Sequence, residues 1–521
     1  MLCTPPEHQE VQRSVPDGTV TNTGDLERWF MKDTEDKQHR SHLQRIARRV
    51  MLERGLLPDF SSQALAELSS LQEPQTTDDA ATRDLRHLLW CSIDNDDSRD
   101  LDQLTVAEAL DNGAVKVLVA IADVDGLVKK GSPIDVHAKH NTTSVYTEAR
   151  IFPMLPEKLS TDLTSLNYAS DRLAMVVEMV IAADGSLQGS DVFSALVQNR
   201  AKLTYNGVAA WLDGAGPMPK EIDEVNGLIE NLRLQDRAAQ EMKTFRHEHG
   251  ALTLETIEAK LVFEADMLKD VDADKGDRAQ DIIENFMVCA NGVTSRYLAA
   301  RQLPSLRRIV RTPKRWDRIR EIAAEKRFPL PETPDSKALE QFLSREKAAD
   351  PVRFPDLSLA IIKLMGPGEY AAALPGAPTS GHFGLAVRDY AHSTAPNRRY
   401  PDMITQRLLK AAVRGESTPY HSDELQTLAT HCTKQEDAAK KVERQVRKSA
   451  AAMLLEHRIG EQFDAIVTGA AAKGTWVRLL HPPIEGRLES GFDGIDVGNR
   501  LRVQLVRTNV DRGYIDFRRV D

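Results

Sequence analysis

Between residues 43 and 55 the chain reads LQRIARRVMLERG. Its apolar positions, Leu43, Ile46, Ala47, Val50 and Met51, recur at the spacing of one helix face, with arginines on the other. Gly55 supplies the C-cap. The helical pattern runs from Asp25 to Arg54, and after the turn LLPDF either Ser61 or Ser62 caps a second, shorter helix through Leu71. Residues 25–71 are therefore expected to form a helical N-terminal domain, either a helix-turn-helix unit or an ordinary helical hairpin. Residues 1–24, rich in Pro, Thr and Gly without periodicity, read as a loose arm, and 72–83 as a polar linker.

From Arg83 the pattern changes. RDLRHLLWCSID reads as a strand that delivers Asp94 at its end. Asp94 to Asp125 then holds an aspartate-dense loop, an acidic helix or turn, a β-branched strand from Val115 to Ile121, and the acidic pair Asp123 and Asp125. LAMVVEMVIAADGSL predicts a strand and a turn at Asp184–Gly185, and VFSALVQNRAKLTYNGV a second strand carrying Tyr205. Helical spacing follows through EIDEVNGLIENLRLQDRAAQEMKTFRHEHG to Gly250, and again in IIENFMVCANGVTSRYL from Ile282. The last sixty or so residues alternate apolar and polar positions with glycines at the turns, the pattern of a small antiparallel barrel. The expected fold class is α+β and multi-domain.

Composition narrows the class. A chain of 521 residues is too long for one core. With 28% charged and 41% hydrophobic residues it reads as soluble and globular, and its apolar runs break well short of the ~20 residues that span a bilayer. The start, MLCTPPEHQEVQ, lacks a basic segment and an apolar core, so no secretory signal is expected. Cys3, Cys91, Cys289 and Cys432 are scattered without a C-x-x-C pair, which fits a reducing cytoplasm and argues against structural zinc or disulfides. A net charge of −10 excludes a protein that coats itself non-specifically in nucleic acid. Positive charge is nonetheless clustered around Arg301–Arg320, Asn397–Arg399 and Lys440–Lys448, runs that suit either a local channel or solvated helix faces.

The aspartate loop is the part that carries chemistry. Like charges a few ångströms apart repel unless a cation lies between them. Asp94, Asp100 and Asp102 are the expected ligands, with Asp96 and Asp97 as neighbours facing water. The donors are all hard oxygens, which suits Mg²⁺, and Mn²⁺ as a substitute. A calcium EF-hand fails, because counting from Asp94 puts Arg99 at the glycine position and Thr105 at the glutamate position. Spacing alone fits a solvated acidic turn equally well.

Over residues 84 to 521 the sequence resembles the ribonuclease II and ribonuclease R family. That family carries an aspartate loop D-x5-D-x-D-D before a strand ending in A-[IV]-A-D. The match is Asp94, Asp100 and Asp102, then VAIAD at Val119–Asp123, with Gln103 where relatives have the fourth carboxylate. A glutamine offers a carbonyl oxygen and no charge. The segment GHFGLAVRDYAHSTAPNRRYPDMITQRLLKA, Gly381 to Ala411, matches a second family motif, with Arg398 and Asp402 in register.

The resemblance implies an RNB-type catalytic α/β domain over 84–457 and a C-terminal RNA-binding OB-fold barrel over 458–521. Relatives usually carry cold-shock barrels before the catalytic domain, and the N-terminal stretch here is too short and too helical for two of them. By the same resemblance Tyr146, before the PMLP turn, stacks on the 3′-terminal base, and Tyr205 limits product length. Leu254 stands where relatives have a sandwiching phenylalanine. Glu284, Asn291, His382, Arg399, Tyr400 and Glu443 are implied RNA contacts. In the barrel, Phe463, Trp476, Arg478 and Arg487 are plausible RNA contacts.

The resulting expectation is a cytoplasmic, monomeric 3′→5′ exoribonuclease that processively degrades single-stranded RNA to nucleoside 5′-monophosphates. It needs two Mg²⁺ ions at Asp94, Asp100, Asp102 and Gln103, Arg398 as transition-state stabiliser, and no membrane or organic cofactor. Two other classes remain open: an RNA-binding regulator whose metal site Gln103 impairs, and a phosphohydrolase of small nucleotides that would not need the barrel.

Overall fold

The computed structural model describes residues 39–74, 82–255, 258–264, 267–274, 276–377 and 380–520. The expected arm, the start of the first helix and much of the linker lie outside them. Nine strands come first: β1 (Arg83–Asp84), β2 (Cys91–Asp94), β3 (Gln103–Ala109), β4 (Val115–Ala122), the short pair β5 (Val145–Tyr146) and β6 (Ile151–Phe152), β7 (Asp171–Ile181), β8 (Leu187–Gln198) and β9 (Ala201–Thr204). All but β5 and β6 join one seven-stranded sheet in the order β1-β8-β7-β4-β3-β2-β9. Along β4, Val117, Val119 and Ile121 enter one core cluster, and Leu118, Ala120 and Ala122 another. The unbroken apolar run thus marks a strand covered on both faces.

One element differs from expectation. QLTVAEA, expected as an acidic helix or turn, is strand β3, paired with β4 from Gln103↔Ile121 to Ala109↔Val115. Asp102 and Asp111 flank it and Glu108 lies within it, but Leu104 and Val106 pack with Leu118 and Ala120, and Thr105 Oγ1 donates to Gln235 Oε1 at 2.7 Å. Packing and pairing override the local composition.

The helices are α1 (39–53), α2 (Ser62–Ser70), α3 (Pro133–Asn141), α4 (Tyr205–Leu212), α5 (Lys220–Asp223), α6 (Leu228–Glu248), α7 (Arg278–Ala300), α8 (Trp316–Glu325), α9 (Ser336–Ala349), α10 (Phe354–Met365), α11 (Tyr400–Arg414) and α12 (Ser422–Leu455). Tyr205, expected on a strand, opens α4, where the Thr204 side chain caps the helix. Gly185, in the β7–β8 turn, has φ 82°, and a Cβ there would lie 2.2 Å from the Glu241 carbonyl of α6. Only glycine fits that approach. The hairpin β10 (Glu258–Glu264) and β11 (Met267–Asp274) and the pair β12 (Ser305–Ile309) and β13 (Glu369–Ala373) stand apart from the main sheet. The expected C-terminal barrel is closed and five-stranded: β14 (Gln462–Ala471), β15 (Gly474–Leu479), β16 (Glu485–Ser490), β17 (Arg500–Asn509) and β18 (Tyr514–Arg519).

Helix α12 ties these parts together. Leu425, Leu428 and Cys432 belong to the central core, Val442, Val446 and Ala450 pack with α1, and Ala452 and Leu455 enter the barrel core. The expected boundary near 457 therefore falls where one helix already belongs to both sides. The N-terminal helices likewise do not form a domain of their own. The predicted face of α1 is fully buried, but against α12 and the β5–β6 hairpin, and Ala64 of α2 lies in the central core. Ser61 is the α2 cap, its side chain accepting from Ala64 N–H. Asn141 of α3 clamps Leu57 through both its amide groups, at 2.9 and 2.8 Å. Among the described residues no helix is long and apolar enough to cross a membrane.

The acidic pair after β4 proves structural. Lys410 Nζ donates to both oxygens of Asp123 at 3.0 and 2.7 Å, and Arg407 pairs with Asp125 and Asp135, each at 2.8 Å. These groups lie in the interior, so removing one partner strands a buried charge. Lys410→Met is expected to destabilise the protein by about 3–5 kcal/mol. A urea melt would show it as a lower midpoint, and an unchanged midpoint would refute this role.

Candidate active site

The aspartate loop runs from the end of β2 to the start of β3 and is fastened along its length. Asp94 Oδ1 accepts from the Asn95 N–H and from Ser98 Oγ, both at 2.8 Å. Lys202 Nζ, on β9, donates to the Ser98 carbonyl at 2.7 Å. Ser165 Oγ donates to the Arg99 carbonyl at 2.9 Å and accepts from Leu101 N–H at 3.0 Å. The three carboxylates are thus carried by a loop with little freedom. Lys202, Ser98 and Ser165 do this without any sequence signal of their own.

Asp102 is 1% exposed. Its Oδ1 accepts from the Asn397 N–H at 2.9 Å and its Oδ2 from Arg398 Nε at 3.1 Å. The two motifs, nearly three hundred residues apart in the chain, therefore meet at one carboxylate. Arg398 reaches it because its own carbonyl accepts from Ser144 N–H and Thr143 Oγ1, and because Asp402 accepts from Ala395 N–H and Arg399. The Arg398 side chain keeps 43% of its surface exposed while its Nε pairs with the buried acid. Tyr146 stands at the same place. Its backbone N–H donates to Glu443 Oε1 at 2.9 Å, its hydroxyl is close enough to Asp100, Asp102 and Arg398 to feel their charges, and the residue is half exposed. Tyr205 is close enough to Asp94 and Arg398 to feel both charges.

The electrostatics describe an under-neutralised negative centre. Burial pushes the Asp102 carboxyl up to about 7, although Arg398 and the Asn397 N–H pull the other way. Burial also raises Asp100, helped by the neighbouring Asp94 charge and opposed by Arg398. Two carboxyls that resist ionisation, lined by hard oxygen donors, suit a divalent cation. Among the described residues no three acidic, His or Cys groups are gathered tightly enough to bind one as they stand. Asp94 and Asp102 are engaged by protein donors, so ligation would require these side chains to let go of Ser98 and Arg398. Gln103 is buried and shares its strand face with Thr105 and Ala107. An amide there avoids a further buried charge.

The sign of the pH dependence follows. A raised carboxyl pKa means the folded protein holds a proton the unfolded chain has lost, so the contribution of Asp102 to stability falls as pH rises from about 4 to 7. A cation that replaces that proton restores it. Mg²⁺ should therefore raise Tm more at pH 8 than at pH 5.5, and an increment independent of pH would contradict the assignment.

The structure sorts the remaining expected residues. Tyr400 is 1% exposed, its hydroxyl on Asp135, so it cannot touch RNA. Asn291 is buried and its Oδ1 accepts from the N–H and Oγ of Ser393, which makes it a support for the Arg398 loop. Arg399 is committed to Asp402 and Thr394. His382 caps a short turn, its Nδ1 accepting from Leu385 N–H, and burial holds its imidazole down to about 4, hence neutral. Leu254 is half-buried against the apolar cluster built from α8, α9 and α10. Glu284 is exposed and faces Arg246 at 3.6 Å. Phe463, expected to meet RNA, lies in the barrel core edge-on to Phe517. Arg478 is buried against Asp356 of α10, whereas Trp476 is half-buried and Arg487 exposed. Within the basic run after Arg301, Arg307 is paired with Asp389 and Arg308 with Glu436, which leaves that run a structural part of the β12 region.

Comparison with known proteins gives a consistent picture. Residues 82–415 match the family described as RNB domain, and residues 461–520 the RNase II-type exonuclease C-terminal S1 domain. Ribonuclease R of Aquifex aeolicus is 32% identical, the match covering 91% of this chain and 70% of that protein. Ribonuclease R of Escherichia coli is 30% identical over 87% of this chain, which spans 59% of that protein's length. Among solved structures, Mycoplasma genitalium RNase R in complex with ribose methylated single-stranded RNA superposes with a TM-score of 0.80 at 22% identity, covering 91% of this chain and 77% of that one.

Proposed function

From the premise that the chain belongs to the RNB-domain family, we propose that it is a metal-dependent 3′→5′ exoribonuclease, hydrolysing single-stranded RNA processively to nucleoside 5′-monophosphates. The observation that carries this reading is the meeting of Asp102 with Arg398 beside Tyr146 and Asp100. Asp94, Asp100 and Asp102 would hold divalent ions, Mg²⁺ or Mn²⁺, two in the full reading. Bound there, such ions lower the pKa of water and offset phosphate charge. The chain's own groups do the rest. Tyr146 offers a half-exposed ring on which the last base stacks irrespective of its identity. Arg398, released from Asp102, presents its planar fork to the phosphoryl oxygens as charge builds on them. The hydrogen bonds from Ser144 N–H and Thr143 Oγ1 to the Arg398 carbonyl keep the guanidinium within reach. The barrel, fixed by α12, holds upstream RNA.

The test is RNA labelled at one end, incubated with Mg²⁺. A 3′ label should leave as mononucleotide at the first turnover, and a 5′ label only once strands are consumed. No product with either Mg²⁺ or Mn²⁺ would favour the second reading, an RNA-binding regulator. Gln103 supports that reading, since it leaves the acidic centre one charge short. The two separate on one variant: in an exonuclease, Gln103→Asp should lower the Mg²⁺ concentration for half-maximal rate several-fold. An unchanged Mg²⁺ dependence would mean that position 103 does not touch the ions.

A further inference from the structure

Helix α1 has no place in the reaction described above, yet it touches three parts of the molecule that a bound RNA 3′ end has to meet together. Leu43, Ile46, Val50 and Met51 pack with Val145, Ala149 and Phe152, the framework of the β5–β6 hairpin that carries Tyr146. Gln44 Nε2 donates to the Ala149 carbonyl at 3.2 Å. The same helix face covers Val442 and Val446 of α12, the turns on either side of Glu443, which receives the Tyr146 N–H. At its other edge His42 pairs with Asp511 at 2.8 Å and Arg49 donates to the Asp511 carbonyl, in the turn between β17 and β18 of the barrel.

A hairpin of two two-residue strands is too small to order itself in water. Its shape is therefore imposed by what it packs on, and α1 is half of that surface. We propose that α1 is a positioning element for the 3′ nucleotide: by packing on the β5–β6 hairpin it sets where the Tyr146 ring stands, and through Asp511 it fixes the distance from that ring to the barrel. The proposal rests on the exonuclease reading and assigns the first described helix to substrate placement, with Leu43, Gln44 and Ile46 acting through Tyr146 and His42 and Arg49 acting through the barrel.

Two separable consequences follow. Ile46→Ala thins the support under the hairpin, so KM for a short RNA that engages only the 3′ site should rise about fivefold, with kcat changed much less. In a Tyr146→Ala background the same substitution should change KM less than about twofold, because the residue through which it acts is gone. His42→Ala with Arg49→Ala should raise KM for a long RNA and leave that for the short one alone. Gln44→Ala, at an exposed position, repeats the Ile46→Ala test where a core cavity would compromise folding; a circular dichroism melt identifies that case. Equal effects of Ile46→Ala and Gln44→Ala with and without Tyr146, or no effect on KM in folded variants, would overturn the proposal. Wild-type protein with no nuclease activity would instead overturn the reading beneath it.

Discussion

Replacing Asp102 by asparagine is expected to lower kcat by about 10³-fold or more while RNA affinity stays within about threefold. The amide keeps the shape of the carboxylate and can still accept from the Asn397 N–H, so the loop need not move. It loses the charge that pairs with Arg398 and that would draw a cation. The same change removes a carboxyl that burial already makes costly to ionise, so Asp102→Asn should be as stable as the parent near pH 4 and increasingly more stable as pH rises to about 7 and above. That pairing of effects is diagnostic. An asparagine variant that loses activity by unfolding would show a lower Tm, and one that turns over normally would remove Asp102 from the mechanism.

The second large effect belongs to Arg398. Arg398→Ala should reduce kcat by about 10²–10³-fold with a smaller change in KM, since the group acts on charge that develops during the reaction. Lysine is an instructive control. It keeps the charge and loses the planar fork, and its chain is not held by the same Nε contact to Asp102. Rescue by Arg398→Lys should therefore recover less than about tenfold. Single-turnover rates with excess enzyme separate this from weak binding. A lysine variant with full activity would mean that charge alone matters at this position.

Much of this was legible in the residues, for identifiable reasons. The α1 face and the Gly55 stop, the run Val115–Ile121, the helix through Phe286 and the closing barrel follow local periodicity, and local periodicity survives tertiary packing. Strand β3 was hidden because acidic residues flank it and its covering residues, Asn231 and Gln235, come from α6. Aromatic residues were misleading in the barrel: Phe463 has the composition of a stacking platform, but its strand parity points it inward. At the site, motif spacing brought out Asp94, Asp100, Asp102 and Arg398. It could not show that Asp123 and Asp125 are neutralised by Lys410 and Arg407, because those partners lie nearly three hundred residues away. Tyr400 and Asn291 fall to the same cause. Both stand within or opposite a functional motif, and both turn out to support the Arg398 loop or its helix from inside the core.

The central claim is spatial: one buried acid and one arginine, brought together from distant motifs, mark the place where the last phosphodiester of a strand would bind, the arginine on the phosphate and the acid on the cation it would hold. A crystal structure of the Asp102→Asn protein with a short RNA and Mn²⁺ tests it most directly. The account predicts the terminal phosphate between Asp94, Asp100 and the Arg398 guanidinium, with the last base against Tyr146. A 3′ end bound elsewhere, with Arg398 turned away from every phosphate, would contradict it.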